Sequence, residues 1–210
     1  MENNSVSDLV EKLRRGDITI RGAKAELRKR GLSEQESLKW WLLTVVVWGA
    51  YLLCWLLPVL PDDLKPGFLR FLSGMPAISF PPTAICSSAV FLAFATALLV
   101  WMNVLHRRKG GLKETGETII FYKEGPFLIM RHPGIFGFIA YFALLPVILS
   151  GYVGFTFLTA VGILVAVAFH YYMAYAEERY NLKKWGDEYR QYMKEVPRFN
   201  FVKGIWNLRK

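Results

Sequence analysis

The amino-acid sequence predicts an all-helical integral membrane protein, and three observations carry that reading. Hydrophobic residues make up 53% of the 210-residue chain while 20% of residues are charged, and the two populations are segregated along it. Residues 40–60 and 85–105 form two runs of 21 without a charge, and residues 133–176 form a third run of 44. About 20 apolar residues cross the hydrocarbon core as a helix, so the first two runs predict one span each. The third is too long for one span. It predicts a hairpin, Pro133–Ser150 and Tyr152–Tyr175, turning near Gly151. Four spans result. The stretch Leu64–Phe80, with Phe68, Leu69, Phe71 and Leu72, is a candidate fifth, re-entrant or interfacial piece.

The positive charge follows the same segregation. Of the 26 Lys and Arg residues, 9 fall in 1–39, 2 in 61–84, 6 in 106–132 and 9 in 177–210. Basic residues accumulate on the cytosolic side of a membrane. With four spans, the N-terminal segment, the 106–132 loop and the C-terminal tail share the basic face, which places both termini in the cytosol. Attraction to anionic headgroups or ligands is a second use for the net charge of +9, although topology accounts for most of it. Nucleic acid is not an expected partner, because the basic residues are spread over juxtamembrane segments without a recognition motif. The two cysteines, Cys54 and Cys86, form no CxxC and no metal-ligand spacing, so no metal is expected. They read as small buried hydrophobes. No cleavable leader is visible, and 40–60 is expected to serve as an uncleaved first span.

Three regions follow. Residues 1–39 form an amphipathic N-terminal segment, residues 40–105 the first two spans with their loop, and residues 106–210 a loop, the hairpin 133–176 and a C-terminal tail. In the first region Leu9, Val10 and Leu13 mark one short helix. Ala23, Leu27 and the cluster Arg28–Lys29–Arg30 mark a second, ended by Gly31. Ser33 and Glu36 have capping-box spacing ahead of Trp40 and Trp41, which suit an interfacial aromatic belt. The loop after the first span carries Pro61, Pro66, Pro76, Pro81 and Pro82, which excludes a long helix or strand there. Asn103 and His106 share a helix face at the end of the second span. They read either as a polar site or as hydrogen bonding at a helix end. Thr118–Tyr122 alternates enough for a short extended segment.

The residues that carry chemistry sit at the two ends of the hairpin. Arg131–His132–Pro133 joins a basic loop to the charge-free run, with proline suited to a first helical position. The helix starting there turns its free N–H groups and positive dipole end outward, and Arg131 adds a fork of donors. At the other end Glu177 and Glu178 stand at the membrane boundary, where carboxylates are costly unless paired or liganded. Helical spacing puts His170, Ala174 and Glu177 or Glu178 on one face. An antiparallel hairpin makes its two ends neighbours, so Arg131 and His132 are expected to face Glu177 and Glu178. That arrangement reads as a structural salt bridge or as a cleft carrying both charge signs.

These residues carry a resemblance. Lys123–Glu124–Gly125, Arg131–His132–Pro133 and Gly137, followed by Glu177–Glu178, Gly186, Glu188–Tyr189, Tyr192 and Val196–Pro197, resemble the isoprenylcysteine carboxyl methyltransferases and the related phospholipid methyltransferases. The resemblance covers roughly residues 110–200. It implies an S-adenosylmethionine-dependent methyltransferase embedded in the membrane, taking its cofactor from the cytosol and a lipophilic substrate from the bilayer. By matching position, Arg131, His132, Pro133 and Gly137 would form the cofactor motif, with Glu177 and Glu178 at its polar groups or beside the methyl acceptor. Tyr189 and the stretch Val196, Pro197 and Arg198 would cover it. One departure stands out: the family carries Tyr two residues after the motif proline, and here that position is Ile135.

Methyl transfer from a sulfonium is an in-line displacement that asks the protein to align donor and acceptor and exclude water. A carboxylate acceptor is already ionised at neutral pH, whereas an amine must lose a proton, for which Glu177, Glu178 or His170 are candidate bases. Tyr171, Tyr172 and Tyr175 offer aromatic faces to a cationic sulfonium. Two other readings stay open. Membrane sterol reductases share a similar Arg-His-Pro hairpin but use NADPH and have more spans. A non-catalytic membrane protein recruiting partners through residues 1–39 and the basic tail is the other, and Ile135 favours it.

Overall fold

The computed structural model describes residues 6–32, 37–109 and 122–209. The capping pair Ser33 and Glu36 and the extended stretch over 118–121 lie outside them. Seven α-helices follow one another among the described residues: α1 Ser7–Arg15, α2 Ile20–Lys29, α3 Ser37–Leu56, α4 Pro82–Lys109, α5 Pro133–Ile148, α6 Phe157–Glu195 and α7 Phe201–Asn207. Short 3-10 turns and one isolated bridge, Ile78 with Phe155, complete the description. The expected all-helical class holds.

Three stretches, Trp40–Val59, Pro82–Arg108 and Phe157–Glu195, lie in helices long and apolar enough to cross a membrane. The hairpin's first arm differs from expectation. α5 has 16 residues and so spans about 24 Å, less than the ~30 Å hydrocarbon core. Pro146 lies in its last turn, where a missing N–H weakens the ladder. The candidate fifth piece forms no long helix. Residues 61–81 fold into two 3-10 turns, Asp62–Leu64 and Gly67–Gly74, punctuated by Pro61, Pro66 and Pro76. Phe68 and Phe71 project from the second turn and are exposed.

The chain divides into two compact units. The apolar unit comprises Lys39–Ala97 and Ile135–Tyr172. Its core gathers Tyr51, Trp55 and Ala166, with Phe142, Leu145, Leu149, Val153 and Ile163 packed around them. The rings of Tyr51 and Phe142 meet edge to face at 4.6 Å, and the Tyr51 hydroxyl donates to the Phe142 carbonyl at 3.3 Å. Trp41, Val46, Leu53, Val90 and Leu164 stand exposed on the same helices. A water-facing helix would turn charges outward; these turn large apolar side chains, as a lipid-facing surface does. Beyond the helices, buried Lys65 clips the proline-rich loop, donating to the Pro58 carbonyl at 3.1 Å and pairing with Asp62 and Ser73.

The polar unit comprises Met1–Leu38, Leu98–Gly134 and Met173–Lys210. Here α1 and α2 bury Val6, Leu9, Ala23, Leu27 and Leu32 against one another. The N-terminal amphipathic pair is therefore as expected. The Arg30 guanidinium forks onto Asp8 at 3.0 and 3.1 Å and reaches Glu26, one turn back, at 3.2 Å. Thr19 caps α2 by accepting from the Gly22 N–H at 3.1 Å. In the C-terminal part, α6 breaks at Gly186, whose φ of +51° and ψ of −123° suit only glycine. Beyond the break Tyr189, Tyr192 and Val196 form a second core with Leu182, Trp185 and Met193.

Candidate functional site

The site grows from a short backbone pairing. The segment before α5 runs through the 3-10 turn Gly125–Leu128, and its end is pinned to the chain beyond α6. The Arg131 N–H donates to the Pro197 carbonyl at 3.0 Å and the His132 N–H to the Arg198 carbonyl at 3.4 Å. The Tyr192 hydroxyl donates to the Phe127 carbonyl at 2.6 Å. α7 then lies against the same segment at Gly204, where a Cβ would stand 1.8 Å from the Ile129 carbonyl oxygen. Pro133 starts α5 directly after the pinned pair, and its missing N–H is one the first turn leaves unbonded anyway.

Five charged groups converge on that frame. Arg131 donates from Nε to Glu178 Oε1 at 2.9 Å, while its Nη1 donates to the carbonyls of Met193 at 2.8 Å and Val196 at 2.6 Å. Arg198 donates from Nε to Glu178 Oε1 at 3.0 Å and also holds Oε2. His132 Nε2 faces Glu178 Oε1 and His132 Nδ1 faces Glu177 Oε2, both at 3.2 Å. Carboxylate oxygens only accept, so both ring nitrogens are satisfied together only when both carry hydrogens. Burial alone would lower the His132 pKa; the charge and hydrogen bond of Glu177, joined by those of Glu178, outweigh it and raise the pKa to about 9.

The two adjacent carboxylates differ. The Glu178 side chain is 3% accessible and both of its oxygens are occupied. It is the hub that ties Arg131, His132 and Arg198 together. The Glu177 side chain is 35% accessible and engages His132 through Oε2. Lys184, seven residues on, also bears on its charge.

The structure thus brings Arg131, His132, Glu177, Glu178, Pro197 and Arg198 together. Lys123 and Glu188, from the two ends of the sequence motif, pair at 3.0 Å on the surface. Tyr189 is buried in the second core, its hydroxyl accepting from Asn181 at 3.3 Å. Gly137 is buried within α5, and Ile135 is half-buried one turn into it. His170 makes different contacts. Its Nδ1 donates to the Ala166 carbonyl at 2.7 Å, and its ring lies among Trp48, Phe138, Phe142 and Phe169, all in the apolar unit. That hydrogen bond leaves Nε2 as the basic nitrogen of a neutral ring.

In the polar unit the sequence reading had singled out His106, as part of a polar site or as hydrogen bonding at a helix end, but not Tyr122, Asn181 or Lys184 as site residues. His106 is 6% exposed, Tyr122 4% and Asn181 7%. Neither ring nitrogen of His106, nor the Tyr122 hydroxyl, nor Asn181 Oδ1 has a hydrogen-bond partner among the described residues. Lys184 is fully buried, with Nζ 5.5 Å from the Trp185 ring centroid. Glu177, Asn181 and Lys184 follow the i, i+4, i+7 spacing of one helix face, a signal that could have found the last two. Asn103, the neighbour of His106 in the sequence reading, is instead exposed and donates to the Leu99 carbonyl at 2.9 Å. Among the described residues no group of His, Cys, Asp and Glu is arranged to hold a metal ion.

Among the described residues, fold and site together define an all-helical protein with three helices able to cross a membrane and, in its polar unit, a cluster of opposed charges and several buried polar groups without hydrogen-bond partners. The chain matches no family model, no curated protein and no solved structure.

Proposed function

We propose that the chain is a membrane-embedded S-adenosylmethionine-dependent methyltransferase acting on a lipophilic acceptor, a prenylcysteine-like carboxylate or a lipid headgroup. The observation that carries the reading is the cluster of Arg131, His132, Glu177, Glu178 and Arg198. The same residues carry the resemblance to the isoprenylcysteine carboxyl methyltransferases. The cluster also presents a partly accessible carboxylate, Glu177, in the unit that holds the unpaired His106, Tyr122 and Asn181. That donor and acceptor set fits a cofactor with amino, hydroxyl and ring-nitrogen groups.

In this reading Glu178 is a positioning residue. It fixes Arg131, His132 and Arg198, whose charges exceed those of the two carboxylates by one, next to the first turn of α5. That turn and the surplus positive charge favour the cofactor's carboxylate. Glu177, the accessible member of the acidic pair, offers its carboxylate to the cofactor's amine or ribose. The bound cofactor supplies an electrophilic methyl group on a sulfonium. A carboxylate acceptor needs no proton removed, while an amine acceptor loses its proton to Glu177. The concentration of basic residues in 1–39, 106–132 and 177–210 supports a cytosolic position for this site and both termini, as in the four-span reading of the sequence.

Methyl-labelled cofactor added to sealed vesicles tests the reading. Label is expected in the organic extract with a prenylcysteine, fatty acid or phospholipid acceptor, only when the basic face meets the added cofactor, and not with Arg131→Ala. Absence of transfer to every acceptor class in permeabilised vesicles would contradict it. Saturable binding of NADPH would point to the reductase chemistry instead.

A further inference from the structure

We propose that α7 is a membrane-surface helix whose outer face lies in the headgroup region of a lipid bilayer. The helix is built inside out. Val202, Ile205 and Trp206 follow the i, i+3, i+4 spacing of one helix face. Val202 is 65% exposed, Trp206 61% and Ile205 40%, with Leu208 just beyond them at 53%. The buried position is Gly204, on the far side of the helix, where α7 meets the Ile129 backbone. A helix on a water-facing surface does the reverse, turning its apolar stripe inward and its polar residues outward.

The orientation of α7 is fixed at both ends. Asn200 caps it by accepting from the Lys203 N–H at 2.9 Å, and Asn207 Nδ2 donates to the Glu195 carbonyl at 2.7 Å. Turning the stripe inward would break the second bond and drive a side chain against Ile129, where even a Cβ does not fit. Ile129 precedes Pro133, the first residue of the charge-free run, by four positions. Four residues reach at most about 14 Å. The contact with Ile129 therefore tethers α7 close to the level at which the membrane boundary falls.

The chemistry of the face selects lipid as its occupant. A tryptophan among aliphatic side chains, flanked by exposed Lys203 and Arg209, matches the layer in which headgroup charges meet acyl chains. Lysine and arginine held at that level gain from anionic headgroups. A protein partner is disfavoured by size. Four apolar side chains on and just past a seven-residue helix fall well short of the roughly 20 residues a side that a stable interface uses. The contact is with lipid and does not depend on which cofactor the charge cluster holds.

Spin labels test the proposal in full-length protein reconstituted into vesicles of phosphatidylcholine and phosphatidylglycerol, with Cys54 and Cys86 replaced by alanine. Labels are attached through Val202→Cys and Ile205→Cys on the outer face, which leaves Trp206 in place. A third, through Asp187→Cys, is the water-facing reference, at a side chain 91% accessible. Collision with oxygen, which concentrates in the bilayer, is compared with collision with a water-soluble nickel chelate. The oxygen-to-nickel ratio is expected to be higher at Val202 and Ile205 than at Asp187. Each outer position reports alone, so one label that disturbs the fold leaves the other decisive. Low collision rates with both reagents at the outer positions would overturn the proposal by giving the face to protein, a segment of this chain or a second copy. Nickel collision there as frequent as at Asp187 would overturn it by leaving the face in water.

Discussion

His132 is charged because both of its ring nitrogens face carboxylates, and that charge makes the cluster sensitive to pH. Its pKa is raised from the ordinary 6.5 to about 9. A group whose folded pKa is raised contributes stability that is complete below its unfolded pKa and disappears as pH rises through the folded one. The contribution is therefore full below pH 6.5 and gone above about pH 9. A shift of that size corresponds to on the order of 3 kcal/mol. The thermal midpoint is expected to fall between pH 7 and about 9.5, and His132→Gln is expected to flatten that fall. An equally steep fall in the variant would assign the pH dependence to other groups. The sequence made Arg131, His132, Glu177 and Glu178 visible through charges at the two ends of a charge-free run. It did not separate the two carboxylates. Adjacent helical residues point about 100° apart, and only the packed neighbours decide that Glu178 is the occupied hub and Glu177 the accessible one.

At the scale of elements, the site depends on how closely α7 approaches the segment ahead of α5. Gly204 makes that approach possible, since any Cβ there would overlap the Ile129 carbonyl. Gly204→Ala is expected to displace α7 and cost a few kcal/mol, in the range of overpacking. The measurements are a lowered unfolding midpoint and faster proteolysis at the C-terminal end, and unchanged values for both would show that the contact is not required. Nothing local in the sequence announces this contact, because it joins residues far apart in the chain. The same holds for Tyr122 and Asn181, whose burial arises from packing. Helix positions fared better. The charge-free runs located α3, α4, α5 and α6, and the prolines of 58–82 explained why no further long helix forms there. The short reach of α5 was not legible, because the run of 133–176 marks where charges stop and not where the helix ends.

For the whole molecule, the segregation of charge is the organising fact. Three helices present apolar side chains outward, while the basic residues and the opposed-charge cluster lie outside their charge-free runs, with Glu177 and Glu178 just past the run in α6. An ordinary water-soluble domain has no use for an apolar surface of that extent. A methyltransferase that draws its cofactor from water and its acceptor from lipid has a use for both. The central claim is that the cluster binds S-adenosylmethionine, and calorimetric titration of the purified protein with S-adenosylhomocysteine tests it most directly. Saturable binding is expected in the parent protein. It is expected to be lost or at least about tenfold weaker in Glu177→Gln, where a charge-assisted hydrogen bond is removed, in protein that still unfolds cooperatively though at a lower midpoint, because Glu177 also holds His132. No detectable heat at high concentration of the ligand, from parent protein that unfolds cooperatively, would contradict the account.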